Sequence, residues 1–183
     1  MKIRLCFAMF ALSLFAGVCL AQAPRPAVVG SESNEVSANF ILPVKGPDLS
    51  TSGYGGQIAS THYINKNLGI QLEGDYERTN YFDLRDAGVR VGPVVRFLTK
   101  QSAQPYVEAL VGYARVEASY LKPVTSFHGS GSVLTGAGLD FHLSGGLYGK
   151  TGADLEGDWA ARTRVVRGFL GLSYRFGVRH PQM

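Results

Sequence analysis

His142-Leu143-Ser144 places an imidazole and a hydroxyl two positions apart, with Glu156 further on. In an extended segment, positions i and i+2 share a face. A base, a nucleophile and an orienting acid on one face are the minimum for acyl-transfer chemistry. The surroundings argue against it. The pair ends an alternating segment, beside the tight turn Ser144-Gly145-Gly146, and its own face carries acids with which an imidazole pairs more simply. No G-x-S-x-G, P-loop or G-x-G-x-x-G in a strand–helix setting occurs. His62, His128 and His180 are dispersed, without the spacing of a metal pair. Gly53-Tyr54-Gly55-Gly56 and Gly129-Ser130-Gly131 read as strand entries and loop flexibility, not as phosphate cradles. The expectation is no catalytic residue, no metal and no cofactor.

A second chemistry is charge pairing. Glu73, Asp75, Glu108, Asp140, Asp154 and Glu156, with Arg90, Arg96, Lys150, Arg167 and Arg175, all fall on the polar faces of alternating segments. His142 shares such a face. Six acids against five bases suit a closed network. Out of water such charges are tolerated only when paired, since each otherwise costs several kcal/mol.

The elements that carry them are strands. Eight segments alternate with period two: 33–43, 53–64, 68–77, 86–98, 105–116, 132–143, 147–158 and 164–177. Val36, Ala38, Phe40 and Leu42 share a face of the first, and Leu68, Ile70, Leu72, Gly74 and Tyr76 a face of the third. The facing of the second is open. These strands exceed the usual globular length of about 5–6 residues. They match the ~9–11 residues that cross a bilayer at a tilt. Connections alternate between long (44–52, 78–85, 117–131) and very short (65–67, 144–146), with 99–104 intermediate, as in transmembrane barrels. Lys45, Lys66, Lys100 and Lys122 all sit in connections, whereas a solvated barrel wall would carry more Lys. Phe97, Tyr106, Phe141, Tyr174 and Phe176 fall toward the short-turn end. Tyr54, Tyr76, Tyr81, Phe82, Tyr113, Tyr120 and Trp159 fall toward the other end, as two interfacial belts would. The predicted fold is all-β, an eight-stranded antiparallel up-and-down transmembrane β-barrel.

Composition agrees. The 183 residues are 45% apolar and only 17% charged, against about 25% in soluble domains. Residues 1–23 read as a cleaved signal peptide: Lys2 and Arg4, an apolar run, then Ala21-Gln22-Ala23, with cleavage after Ala21 or Ala23. Its removal takes Cys6 and Cys19, leaving no thiol and no disulfide. It also takes the 18 bases to 16 against 14 acids, which gives a nucleic-acid role no support. Residues 24–32 are then a periplasmic N-terminal segment, 33–177 the barrel and 178–183 a periplasmic tail.

The stretch Leu170, Leu172, Tyr174, Phe176 resembles the terminal β-signal of bacterial outer-membrane proteins, although Gly177–Met183 follow it. GIQLEGDY at 69–76 and GAGLDFHLS at 136–144 are similar to the OmpA-like/OmpX-like barrel family. The resemblance implies a monomer in the outer membrane, in contact with its lipid and inserted by the barrel-assembly machinery. With eight strands the interior is expected to be filled by side chains, which leaves envelope integrity or surface interaction as the work, and loop 117–131, with Tyr120, Leu121, Phe127 and His128, as the place for a surface partner. Two rival expectations are a periplasmic lipocalin-like barrel with a small apolar ligand, and a lipid A-modifying barrel that uses His142 and Ser144.

Overall fold

In the computed structural model the described residues are 34–44, 53–79, 84–99, 101–118, 126–159 and 163–177. The predicted signal peptide with Ala21 and Ala23, residues 24–32 and the tail 178–183 lie outside them, as do Tyr81, Phe82 and Tyr120.

Period-two alternation becomes eight strands: β1 (Asn34–Val44), β2 (Gly53–Tyr63), β3 (Leu68–Thr79), β4 (Leu84–Arg96), β5 (Ala103–Ala118), β6 (Ser126–Ser144), β7 (Leu147–Asp158) and β8 (Thr163–Phe176). Each pairs antiparallel with its neighbour, and β1 pairs with β8 to close the barrel. Closure leaves no edge, so the ladder takes up backbone groups that a bilayer could not hydrate.

The two faces are inverted relative to a soluble protein. Arg90 and Arg167 are buried, while Val36, Phe40, Leu42, Ile58, Leu72, Val91, Leu170 and Leu172 are exposed on the outside. A continuous apolar coat of this kind marks contact with lipid. In β2 the open question of facing is answered by pairing: Gln57, Ala59, Thr61 and Tyr63 point in, and Tyr54, Ile58, Ser60 and His62 point out.

The structure departs from the sequence expectation in its long connections and in one ring. Of connection 78–85, residues 78, 79, 84 and 85 are strand, because β3 and β4 pair up to Thr79↔Leu84. Loop 117–131 is mostly strand, because β5 and β6 stay paired up to Ala118↔Ser126 and only 119–125 remain as connection. The Gly129 and Gly131 read as loop flexibility sit in β6 under aromatic rings: the Tyr113 hydroxyl covers Gly129 and the Trp159 ring covers Gly131. A ring over a strand glycine restores the packing that the missing side chain forfeits. Tyr106 does not join the short-turn belt. It is buried inside, as its parity with Gln104 and Glu108 requires. Tyr54, Tyr76, Tyr113 and Trp159 at one end, and Phe97, Tyr174 and Phe176 at the other, are exposed.

Candidate functional site

The inward positions of the strands build two ion clusters stacked along the barrel. The lower one, at the short-turn end, is centred on Glu35 of β1. Glu35 Oε2 accepts from Arg96 Nη2 at 2.6 Å and from Arg175 Nε at 2.8 Å, and Oε1 accepts from Lys150 Nζ at 3.0 Å. Asp140 is the second anion. It accepts from Arg175 Nη2, and Lys150 and Arg96 stand 3.8 and 3.7 Å away. Each cation also rests on a ring: Arg96 over Tyr63 at 4.0 Å, Lys150 over Tyr106 at 4.3 Å, Arg175 over Tyr148 at 3.6 Å. Out of water, such cation–π contacts are worth about 2 kcal/mol each. Gln104 Oε1 takes the remaining fork of Arg175 at 2.7 Å.

The upper cluster is centred on Arg167, which is 0% exposed. Its Nη1 donates to Glu77 at 2.8 Å, to Glu156 at 3.1 Å and to Asp75. Its Nη2 donates to Asp154 at 3.3 Å and to Glu73 at 3.4 Å. Arg90 donates to Asp75 at 2.8 Å, to Ser132 at 3.0 Å and to Glu156. Between the clusters, the Gln71 amide bridges Glu73 at 3.2 Å and Glu108 at 2.8 Å, and is itself held by Thr61 at 3.0 Å. Arginine suits these positions because its planar fork serves several carboxylates at once.

Asp75, Glu77 and Glu156 bring carboxylate oxygens within 4.8 Å of one another, as a metal site would. All three bond to the Arg167 guanidinium, which takes the place of a metal ion there.

The sequence-derived residues divide as follows. Arg96, Asp140, Lys150 and Arg175 meet in the lower cluster, and Glu73, Asp75, Arg90, Asp154, Glu156 and Arg167 in the upper. Glu108 is reached through Gln71. His142 stands apart at the β6–β7 turn. Its Nε2 lies 2.9 Å from the Gly145 carbonyl and its ring packs edge-on to Tyr148 at 5.1 Å. The register shifts between His142 and Ser144, and Ser144 is exposed while His142 is half-buried. Glu156 lies near the far end of β7, bonded to both arginines. Imidazole, hydroxyl and acid are therefore not assembled as a catalytic set. Glu35, Glu77 and Gln104 escaped the sequence reading, and Gln71, though on the polar face with Glu73 and Asp75, was not read as part of the network. Their signal was available: Glu35, Ser37 and Asn39 alternate against Val36, Ala38 and Phe40, and Glu77 continues the face of Glu73 and Asp75.

Leu170, Leu172, Tyr174 and Phe176 point outward from β8, and the last two rings stack at 6.3 Å.

No family model and no curated protein sequence matches the chain. Solved structures do. The chain is similar to Neisserial surface protein A, with TM-score 0.68 and 17% identity over 80% of this chain and 99% of that one. It is similar to the N-terminal β-barrel domain of Pseudomonas aeruginosa OprF, with TM-score 0.63 and 15% identity over 80% and 99%. The outer membrane protein OprG from Pseudomonas aeruginosa gives TM-score 0.60 and 11% identity over 81% and 98%. At these identities the likeness carries the fold, and the fold is that of eight-stranded outer-membrane β-barrels.

Proposed function

We propose that this chain is a monomeric, non-enzymatic outer-membrane barrel that braces the envelope and offers its longer connections to the outside. One observation carries the reading: charge is inside and apolar surface outside, with Arg167 at 0% and Leu170 at 66% exposure. An eight-stranded barrel filled by side chains has no room for a wide aqueous pore, and two ion clusters occupy this one. Its work is then done by the wall and the connections. The strand ends opposite the tight turns lead into the longer connections, including 119–125, and these are the place for a surface partner.

The test is gel mobility of the membrane fraction with and without boiling. A folded barrel keeps its compact mobility until heated, so the unheated sample is expected to run faster. Recovery of the whole protein in the soluble periplasmic extract would overturn the reading in favour of a lipocalin-like carrier.

The barrel-assembly machinery is the proposed reader of Leu170, Leu172, Tyr174 and Phe176. Phe176→Ala is expected to lower the amount assembled in cells severalfold, while refolding of the purified chain from urea into micelles stays unchanged. An equal loss in both assays would assign Phe176 to barrel stability instead.

A further inference from the structure

Glu108 of β5, Gly136 of β6 and Asp154 of β7 stand side by side on one rung, all facing inward. Gly136 has no side chain, so the two carboxylates meet above it. A Cβ at Gly136 would touch Asp154 Oδ1 and lie 3.0 Å from Glu108 Oε1. The next inward residue of β6 is again glycine, Gly138, and the Tyr106 hydroxyl lies 2.6 Å from where its Cβ would be. Two successive glycines thus leave room for the carboxylate pair at Gly136 and for the Tyr106 hydroxyl at Gly138.

Those oxygens are poorly served by the protein. Asp154 and Tyr106 are each 2% exposed, and neither Asp154 Oδ1 nor the Tyr106 hydroxyl has a hydrogen-bond partner. Asp154 spends its other oxygen on Arg167 and Glu108 its other oxygen on Gln71. Among the described residues no base forms an ion pair with Glu108, and the Tyr106 ring is already engaged by Lys150. The imbalance is regional: among the described residues Glu73, Asp75, Glu77, Asp154 and Glu156 form their ion pairs with Arg90 and Arg167, and Lys150, the base beside Tyr106, pairs with Glu35 and Asp140. Like charges adjacent and out of water strongly disfavour joint ionisation unless a cation joins them.

The geometry points to a cation site inside the barrel, formed by Asp154 Oδ1 and Glu108 Oε1 over Gly136, with the Tyr106 hydroxyl at the next inward position, for a hard divalent ion of the calcium type. Carboxylate and hydroxyl oxygens select hard cations over soft ones. Calcium tolerates irregular shells and fills the remaining positions with water, whereas magnesium demands a near-octahedral set that these three donors do not impose. The site is distinct from Asp75, Glu77 and Glu156, where a guanidinium sits.

The experiment refolds the full barrel into micelles with calcium, magnesium or sodium chloride at matched ionic strength, or with EDTA. The ion is added before refolding, so entry into the closed barrel does not limit binding. Calcium a hundredfold above its Kd is expected to raise the unfolding temperature by roughly 5 °C over EDTA, magnesium less, and sodium not at all. Asp154→Asn and Glu108→Gln are expected to lose the calcium shift, yet to unfold at a higher temperature than wild type in EDTA, because the like-charge contact is gone. If either variant fails to refold, wild type alone decides. Tyrosine-sensitised terbium emission displaced by calcium supports the site. Equal unfolding temperatures in calcium and EDTA overturn it. So does a carboxylic-acid C=O band in the infrared spectrum of calcium-treated wild type that Asp154→Asn or Glu108→Gln removes, since a proton would then hold the pair together.

Discussion

Arg167→Met is expected to abolish the fast-migrating folded form, or to lower the urea midpoint of refolded barrel by most of its value. Arg167 is the common partner of Glu73, Asp75, Glu77, Asp154 and Glu156. Without it, Glu73, Asp75 and Glu156 keep Arg90, while Glu77 and Asp154 lose the cation they pair with. Removing one member of a buried pair costs about 3–5 kcal/mol, because the other charge is left without compensation. Several partners are stranded here, and total folding stability is about 5–15 kcal/mol. Urea titration followed by unheated gel mobility measures the effect. Arg167→Lys should fall between, since an ammonium is a point charge without the fork that reaches five acceptors. Neutralising acids in the same background, as in Arg167→Met with Asp75→Asn and Glu77→Gln, should recover part of the loss. An unchanged midpoint in Arg167→Met would show that the upper cluster is a passive filling.

Glu35→Gln is the second large effect, with the opposite sign of charge left over. Glu35 holds Arg96, Lys150 and Arg175 within 3.0 Å, and only Asp140 remains to face all three when it is neutralised. Loss of about 3 kcal/mol follows from the breaking of a buried hydrogen-bonded charge pair. The rings beneath the cations limit the damage, because Tyr63, Tyr106 and Tyr148 still accept their charge. The loss should be concentrated at the β1–β8 seam, where Glu35 and Arg175 face each other in register. Hydrogen exchange of seam amides is expected to quicken more than exchange at the β3–β4 pairing. Uniform exchange across all strands with an unchanged urea midpoint would contradict this.

The strand pattern was legible because lipid and interior impose opposite demands on alternate residues. β3 and β8 show this best, with Leu68, Ile70 and Leu72 against Gln71 and Glu73, and Leu170, Leu172 and Tyr174 against Ser173 and Arg175. β2 was opaque because Gly55, Gly56, Ala59 and Ser60 carry little hydropathy contrast, so only its ladder with β1 and β3 fixes its facing. Network membership followed from parity; partnership did not. Glu35 meets Lys150 and Arg175 across 115 and 140 residues of chain, through the closure and stagger of the barrel. Tyr106 was misassigned by position along its strand, where parity gave the right answer. The end of β6 was missed because Gly129-Ser130-Gly131 imitates a loop, and the rings that make it strand, Tyr113 and Trp159, come from neighbouring strands.

The seam also sets an order of events. A salt bridge between the second residue of β1 and the penultimate residue of β8 cannot form while the sheet is still growing. Contacts this distant in sequence are the slowest to be made. Until β1 and β8 meet, Arg175 has Asp140 and Gln104 but lacks Glu35, so the lower cluster is one anion short. Joining of the chain ends and completion of the lower cluster are then one step, because Glu35 is the anion that Arg96, Lys150 and Arg175 have in common.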